Sequence, residues 1–309
     1  DYNTTWVGRY FAVKSELKTI NINPSLAYKV NDSFSIGAGV QTIYAKAKLS
    51  NAVDFGTIGV ATLGLPLAGG LGLLPQQADG YADVSGHDWG VGGTFGALFT
   101  PNDKLQFGLN YRTKVDLDLR GNARFYVPDN ARVLTSTGLF TNSDARASIT
   151  LPETINFGTA YKVQDNWTIL GDVTWIRWNR FDELRVKFDD SPQPDSVQEE
   201  NWDNTWRIAL GTKYDLCDNK WQLRGGVAWD QSPVPSDELR TPRIPDNDRY
   251  WLSVGAGYKF TEDLELNFSY AHIFIPDAET NLRGTTGSTL RGDWELGVDI
   301  ASLQLVSRF

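Results

Sequence analysis

Few residues in this chain are placed for catalysis. Its 309 residues hold two histidines, His87 and His272, and one cysteine, Cys217. Cys217 sits in a Leu-Cys-Asp-Asn turn, and a lone cysteine leaves no internal disulfide to form. A serine hydrolase needs a serine within hydrogen-bond reach of an oriented histidine. Ser269 lies three residues from His272, which in an extended chain puts the two on opposite faces. His87 has Asp88 beside it and no nucleophile. No group of His, Cys, Asp and Glu has metal-ligand spacing, no glycine-rich loop could cradle a phosphate, and no cofactor is called for. The chemistry left open is binding. Ile43, Ala45, Ala47, Ile176, Trp178, Trp251, Ile273 and Ile275 put apolar side chains on a face that is otherwise polar. Arg112, Lys114 and Arg243 are cations that could meet an acidic group.

The elements that must position these residues are strands. From Trp221 to Trp229 the residues Trp221, Leu223, Gly225, Val227 and Trp229 fall on one face, with Gln222, Arg224 and Asp230 opposite. After a loop rich in proline and charge, Tyr250, Leu252, Val254, Ala256 and Tyr258 repeat the pattern. A period of two means strand. From Leu105 to Arg120 the alternation predicts one long strand: Leu105, Phe107, Leu109, Tyr111, Val115, Leu117 and Leu119 on one face, Arg112, Lys114, Asp116 and Asp118 on the other. Eleven such strands are predicted. The turns Asn31-Asp32-Ser33, Pro101-Asn102-Asp103, Gln164-Asp165-Asn166, Cys217-Asp218-Asn219 and Thr261-Glu262-Asp263 all fall at one end. The long loops fall at the other: Ser50–Asp88, Gly121–Arg146, Asp189–Asp203 and the stretch before Asp293. Short turns at one end and long loops at the other mark a bacterial outer-membrane barrel, with aromatics at both ends of the lipid face.

Composition agrees. No run of 18 apolar residues exists, so no transmembrane helix is predicted. Mean hydropathy is −0.34, as expected where half of each strand faces a polar lumen. A net charge of −9 argues against nucleic acid as a partner. The chain is read as one transmembrane β-barrel domain over 1–309, with an apolar extracellular insertion at 50–88. An odd strand count predicts further strands before the first, since single-chain barrels of this kind are even. Asp1–Tyr10 lacks the basic and apolar regions of a secretion signal. Parity slips between Ile300 and Leu303, which predicts a bulge near Ala301–Ser302, and the chain ends on Phe309, where such barrels commonly end.

Several segments together resemble the FadL family of outer-membrane long-chain fatty acid transporters: WDQSPVP (229–235), RIPDNDRYWLSVG (243–255), IYAKAK (43–48), DWGVGGTFGALF (88–99), NYRTKVDLDLRGNA (110–123), LPE (151–153) and WRIALGT (206–212). The resemblance implies a fourteen-stranded barrel plugged by an N-terminal hatch. It implies capture of ligand at the external loops, transfer to an inner pocket and passive sideways release. The hatch and the first three strands have no counterpart here, and Asn51 and Gln198 stand where the family carries basic ligand contacts. On this reading Ile43, Ala45, Ile176, Trp178, Trp251 and Ile273 form the apolar pocket, and Leu63, Leu65, Leu67, Leu71, Leu73 and Leu74 form the capture loop. Arg112, Lys114 and Arg243 are the candidate carboxylate partners. Expected partners are a long-chain fatty acid or another apolar ligand (detergent in a crystal), the lipid bilayer and lipopolysaccharide, around a monomeric barrel. The competing readings are a channel for aromatic hydrocarbons, a general porin and an outer-membrane lipid hydrolase.

Overall fold

The computed structural model describes residues 1–216, 220–284 and 286–308. The turn Cys217-Asp218-Asn219 and the terminal Phe309 therefore lie outside the described residues. Among the described residues no helix is long and apolar enough to cross a membrane. Among the described residues the alternating segments form one antiparallel sheet of sixteen pieces. These are β1 (Lys14–Ile22), β2 (Ser25–Lys29), β3 (Phe34–Asp54), β4 (Asp79–Asn102), β5 (Leu105–Arg112), β6 (Val115–Tyr126), β7 (Ser143–Leu151) and β8 (Thr154–Gln164). Then follow β9 (Trp167–Ile176), β10 (Glu183–Phe188), β11 (Ser196–Glu199), β12 (Thr205–Leu216), β13 (Trp221–Asp230), β14 (Arg249–Lys259), β15 (Leu264–Arg283) and β16 (Thr289–Ser307). The pairs β1–β2, β5–β6, β7–β8, β9–β10 and β11–β12 each continue one stave across a local break, leaving eleven staves. Two of the breaks carry proline, Pro24 and Pro152, which has no N–H to give the ladder.

The register aligns the aromatics into two belts on the outer face. One contains Tyr44 opposite Trp89, Trp175 opposite Trp206, and Trp229 opposite Tyr250 opposite Phe274. The other, toward the short turns, contains Phe34 opposite Phe99 opposite Phe107, Trp167 opposite Tyr214, and Trp221 opposite Tyr258. Between them Leu210, Val227, Leu252 and Val254 are about half exposed, as lipid-facing residues must be.

Staves run past the membrane at the long-loop end. β3 has 21 residues, β4 has 24 and β15 has 20, where roughly 9–11 suffice to span. The predicted insertion at 50–88 thus shrinks to 55–78, and the predicted loop before Asp293 is a tall hairpin of β15 and β16. Alternation hid this because outside the membrane the apolar face changes sides. β4 pairs Thr94 with Arg112 on β5 but His87 with Arg120 on β6, so the β5–β6 stave carries one extra residue at Thr113–Lys114. Everything after it is inverted, and the unbroken lipid face from Leu105 to Leu119 is corrected. Val115, Leu117 and Leu119 are buried inside, packed with Ile43 and Ala45 of β3. Lys114 and Asp116 form an ion pair at 2.7 Å on the outer face, not in the lumen. Gly90 lets this happen, since a Cβ there would lie 2.3 Å from Val115 Cγ1. The β7–β8 stave inverts at Pro152–Glu153 in the same way, with Ile149 and Leu151 joining the inner cluster.

The bulge predicted at Ala301–Ser302 is absent. The ladder runs unshifted from Leu264–Ser307 to Ile275–Leu296 and slips instead between Ile275 and Ala278. Val298 and Ile300 therefore point inward, and Asp299 points outward to His272 Nδ1 at 2.7 Å. Among the described residues, β16 pairs only with β15 and the β1–β2 stave only with β3. At the long-loop end the segment before β1 bridges these two edges: Tyr2 stacks on Trp6 at 4.4 Å, and both rings meet Trp294 of β16.

The inversion is directly testable. A cysteine in place of Asp116 should react with a bulky, impermeant maleimide added from outside. One in place of Leu117 should be protected, and the opposite pattern would restore the unbroken alternation.

Candidate ligand-binding site

Inside the upper wall the apolar residues form three groups. Ile43 and Ala45 pack against Val115, Leu117 and Leu119, with Ala47, Ile149 and Leu151 at the margin. Trp251 and Ile273 are direct cross-strand partners, and Ile273 is buried. The Arg207 guanidinium lies over the Trp251 ring at 5.7 Å and 3.8 Å from Asp172. Val298, opposite Ile273, and Ile300, opposite Ala271, extend this strip and stay open to the lumen. In the third group Ile176 ends β9, and Trp178 starts a helical turn at Trp178–Arg180. Trp178 and Phe181 both meet the Trp202 ring edge-on, at 5.1 and 4.8 Å. Nearer the short turns the lumen holds a cavity of about 540 Å³, carved where Gly37, Gly96, Gly108 and Gly158 replace side chains. That volume lies within the range of small-molecule sites.

The insertion is a helical hairpin, α1 (Phe55–Leu63) and α2 (Leu65–Gly70). Asp54 caps α1 by accepting from the Thr57 amide at 2.9 Å, and also holds the Gln76 amide at 3.0 Å. Leu73 is fully buried beside Phe55, Ala68 and Leu134, and Leu63 packs at the edge of that cluster. Leu74 is half-buried. Leu65, Leu67 and Leu71 remain exposed at 61%, 56% and 39%, enough to offer an apolar surface outside the barrel.

The three candidate cations differ. Arg112 lies between Thr94 and Thr154 on the luminal side, exposed and without an ion pair among the described residues. Lys114 is turned outward, as above. Arg243 sits in the 231–248 loop, which roofs the barrel. Its Nη1 donates to Lys14 O at 3.1 Å and to Ser15 Oγ at 3.0 Å, tying the roof to β1. Burial lowers its pKa to about 10, although Glu200 favours its charge. Glu200, 3% exposed, accepts from Trp202 Nε1 at 3.1 Å, and burial pushes its carboxyl up to about 7. The RIPDNDR charges order the roof: Arg249 pairs with Asp230 and Asp246, and Asp248 accepts from Trp229 Nε1 and the Ser232 amide.

Over residues 1–309 the sequence matches the outer membrane protein transport family described as OMPP1/FadL/TodX. The chain belongs to this family. It is 34% identical over 282 residues to a long-chain fatty acid transport protein of Salmonella typhi, across 88% of this chain and 63% of that protein. It is 30% identical over 283 residues to outer membrane protein P1 of Haemophilus influenzae, across 88% and 59%. A Pseudomonas aeruginosa FadL homologue superposes with a TM-score of 0.83 at 27% identity, covering 98% of this chain and 70% of that one. The Pseudomonas putida toluene transporter TodX gives 0.70 at 18% identity over 96% and 70%, a likeness of fold alone. The chain spans somewhat under two thirds of its curated relatives' length.

As an outer-membrane barrel of the FadL family, the chain owes part of its inner surface to residues that alternation missed. Val115, Leu117 and Leu119 were hidden by the extra residue at Thr113–Lys114, and Val298 and Ile300 by the assumed bulge. Trp202 and Phe181 lie in loops without periodicity.

Glu200 makes roof stability pH-dependent. Because its folded pKa lies above the ordinary 4.5, its stabilising contribution is complete below about 4.5 and is lost as pH rises through about 7. Proteolysis of the 231–248 loop should speed up across that window, and Glu200→Gln should flatten the profile. Asp54→Ala should loosen the hairpin by about 1–2 kcal/mol, seen as faster cleavage within 55–78 with the barrel intact.

Proposed function

We propose that this chain carries long-chain fatty acids or similar apolar molecules passively across the outer membrane. Ligand would be captured on Leu65, Leu67 and Leu71 of the hairpin. It would then pass to the luminal strip around Trp251, Ile273 and Ile176, with Trp178 and Trp202 at its edge. From there it would leave sideways into the bilayer. The observation that carries this reading is the inversion of the wall: above the membrane the polar face is outside and the apolar face inside. A water-filled porin needs a polar inner face throughout. Burying an acyl chain is worth about 0.8 kcal/mol per CH₂, so sixteen carbons could supply on the order of 10 kcal/mol before ordering costs. Ile43 and Ala45, sealed under Val115 and Leu117, serve the reading as wall packing more than as open lining.

Arg112 is the better candidate for the carboxylate, since it faces the lumen with no ion pair among the described residues, whereas Arg243 is partly spent on β1. A second reading, a channel for aromatic hydrocarbons, is favoured by the clustered rings of Trp178, Phe181 and Trp202.

Labelled oleate, competed with decane and with toluene, separates the two. Saturable oleate binding displaced by decane, lost with Trp251→Asp and weakened about tenfold by Arg112→Ala, supports the fatty acid reading. Displacement by toluene with no carboxylate preference supports the aromatic one. No saturable binding of any of the three would remove both.

A further inference from the structure

Six basic residues stand in one row on the outer face of the wall. Lys18 is directly opposite Lys46, Lys46 opposite His87, His87 opposite Arg120, Arg120 opposite Arg146, and Arg146 opposite Lys187. The row crosses six adjacent staves, about 24 Å of wall at the usual strand spacing. All six side chains are exposed. Like charges directly across a ladder repel, with Cβ atoms only about 5 Å apart, so a row of this length needs anions nearby. The protein supplies some: Glu16 sits 2.8 Å from Lys18, Asp118 2.9 Å from Arg120 and Asp189 3.3 Å from Arg146. Lys46, His87 and Lys187 have no ion pair among the described residues. A cleft of about 540 Å³ opens beside the far end of the row, lined by Asp118, Arg146, Ser148, Glu183, Arg185 and Lys187.

The height of the row says what the missing anions are. Lys46 and His87 lie two residues beyond Tyr44 and Trp89 of the outer aromatic belt, about 7 Å along the strands. Side chains at that level meet lipid headgroups, and anionic headgroups attract basic residues placed there. The opposite wall lacks the feature: the residues two positions beyond Trp206, Trp229 and Tyr250 are Asn204, Gln231 and Asp248. The strip is therefore one-sided and not a general property of the rim.

We propose that this row binds the phosphate groups of an outer-leaflet glycolipid, holding the lipid against the staves from β1 to β10. Arginine takes phosphate in a two-pronged hydrogen bond and lysine as a point charge, so the mixed row can seat several phosphates along its length.

The test uses the full chain in detergent, with fluorescent bisphosphorylated lipid A as probe. The triple variant Lys46→Gln, Arg146→Gln, Lys187→Gln should bind it roughly a hundredfold more weakly, and Lys29→Gln with Lys104→Gln at the short-turn end should not. Removing the probe's phosphates should weaken binding to the wild type by a similar factor. Should the triple variant fail to give a heat-resistant barrel, Lys46→Gln and Lys187→Gln singly should each lower affinity several-fold. Equal binding of the dephosphorylated probe, or unchanged affinity in the variants, overturns the proposal. So does equal affinity for phosphatidylglycerol vesicles, which would reduce the row to general charge attraction. Competition by inorganic phosphate as effective as unlabelled lipid A would also overturn it, by showing a free-anion site.

Discussion

In hydrocarbon a backbone amide finds no water, so each N–H of the wall must be met by a neighbouring stave. That requirement drives the long ladders, such as the unshifted pairing of β15 with β16 from Leu264 to Ile275. It also explains how the interruptions are healed. Where the β5–β6 stave carries its extra residue, the Gly93 amide donates to Thr113 Oγ1 at 2.8 Å and the Asp118 amide to Asp88 Oδ2 at 2.7 Å. Beyond Pro152, the Arg177 amide reaches the Glu153 carbonyl at 3.1 Å, and the Glu153 carboxylate binds both Arg177 and Arg180. Side chains thus take over bonding where the ladder cannot provide it.

The same interruptions turn the wall inside out. Below them the barrel faces lipid with leucine, valine and aromatics; above them those residue types face inward and charge faces water. Glycine makes the change sterically possible. At Gly90 the strands on either side bring Ile43 and Leu117 together over a position with no side chain, so the inner cluster is dense. Apolar side chains such as Val115, Leu117 and Leu119 are thereby buried above the membrane while their charged neighbours face the water outside.

Charge has two separate uses. In the roof it is internal: Arg249, Asp230, Asp246 and Asp248 bind one another and nearby backbone, and Arg243 fastens the loop to β1. On the outer wall charge is only partly paired, and its direction is set by the same inversion that buries Val115. Alternation alone puts Lys114 and Asp116 in the lumen, and the extra residue at Thr113–Lys114 turns them outward.

The sequence by itself determined the class of fold and the direction of the barrel. Alternation in segments such as Trp221–Trp229 and Tyr250–Tyr258 requires strands, and segregated turn lengths require a membrane orientation. The apolar character of Trp251 and Ile273 on luminal parity was also legible, because no bulge intervenes between them and their short turn. Only the tertiary structure decided what happens above the membrane. A single added residue at Thr113–Lys114 reverses every later side chain in its stave while leaving the alternating pattern intact, since a period of two reads the same from either face. Which face is inside depends on register with β4, and register is a relation between strands that no one strand contains.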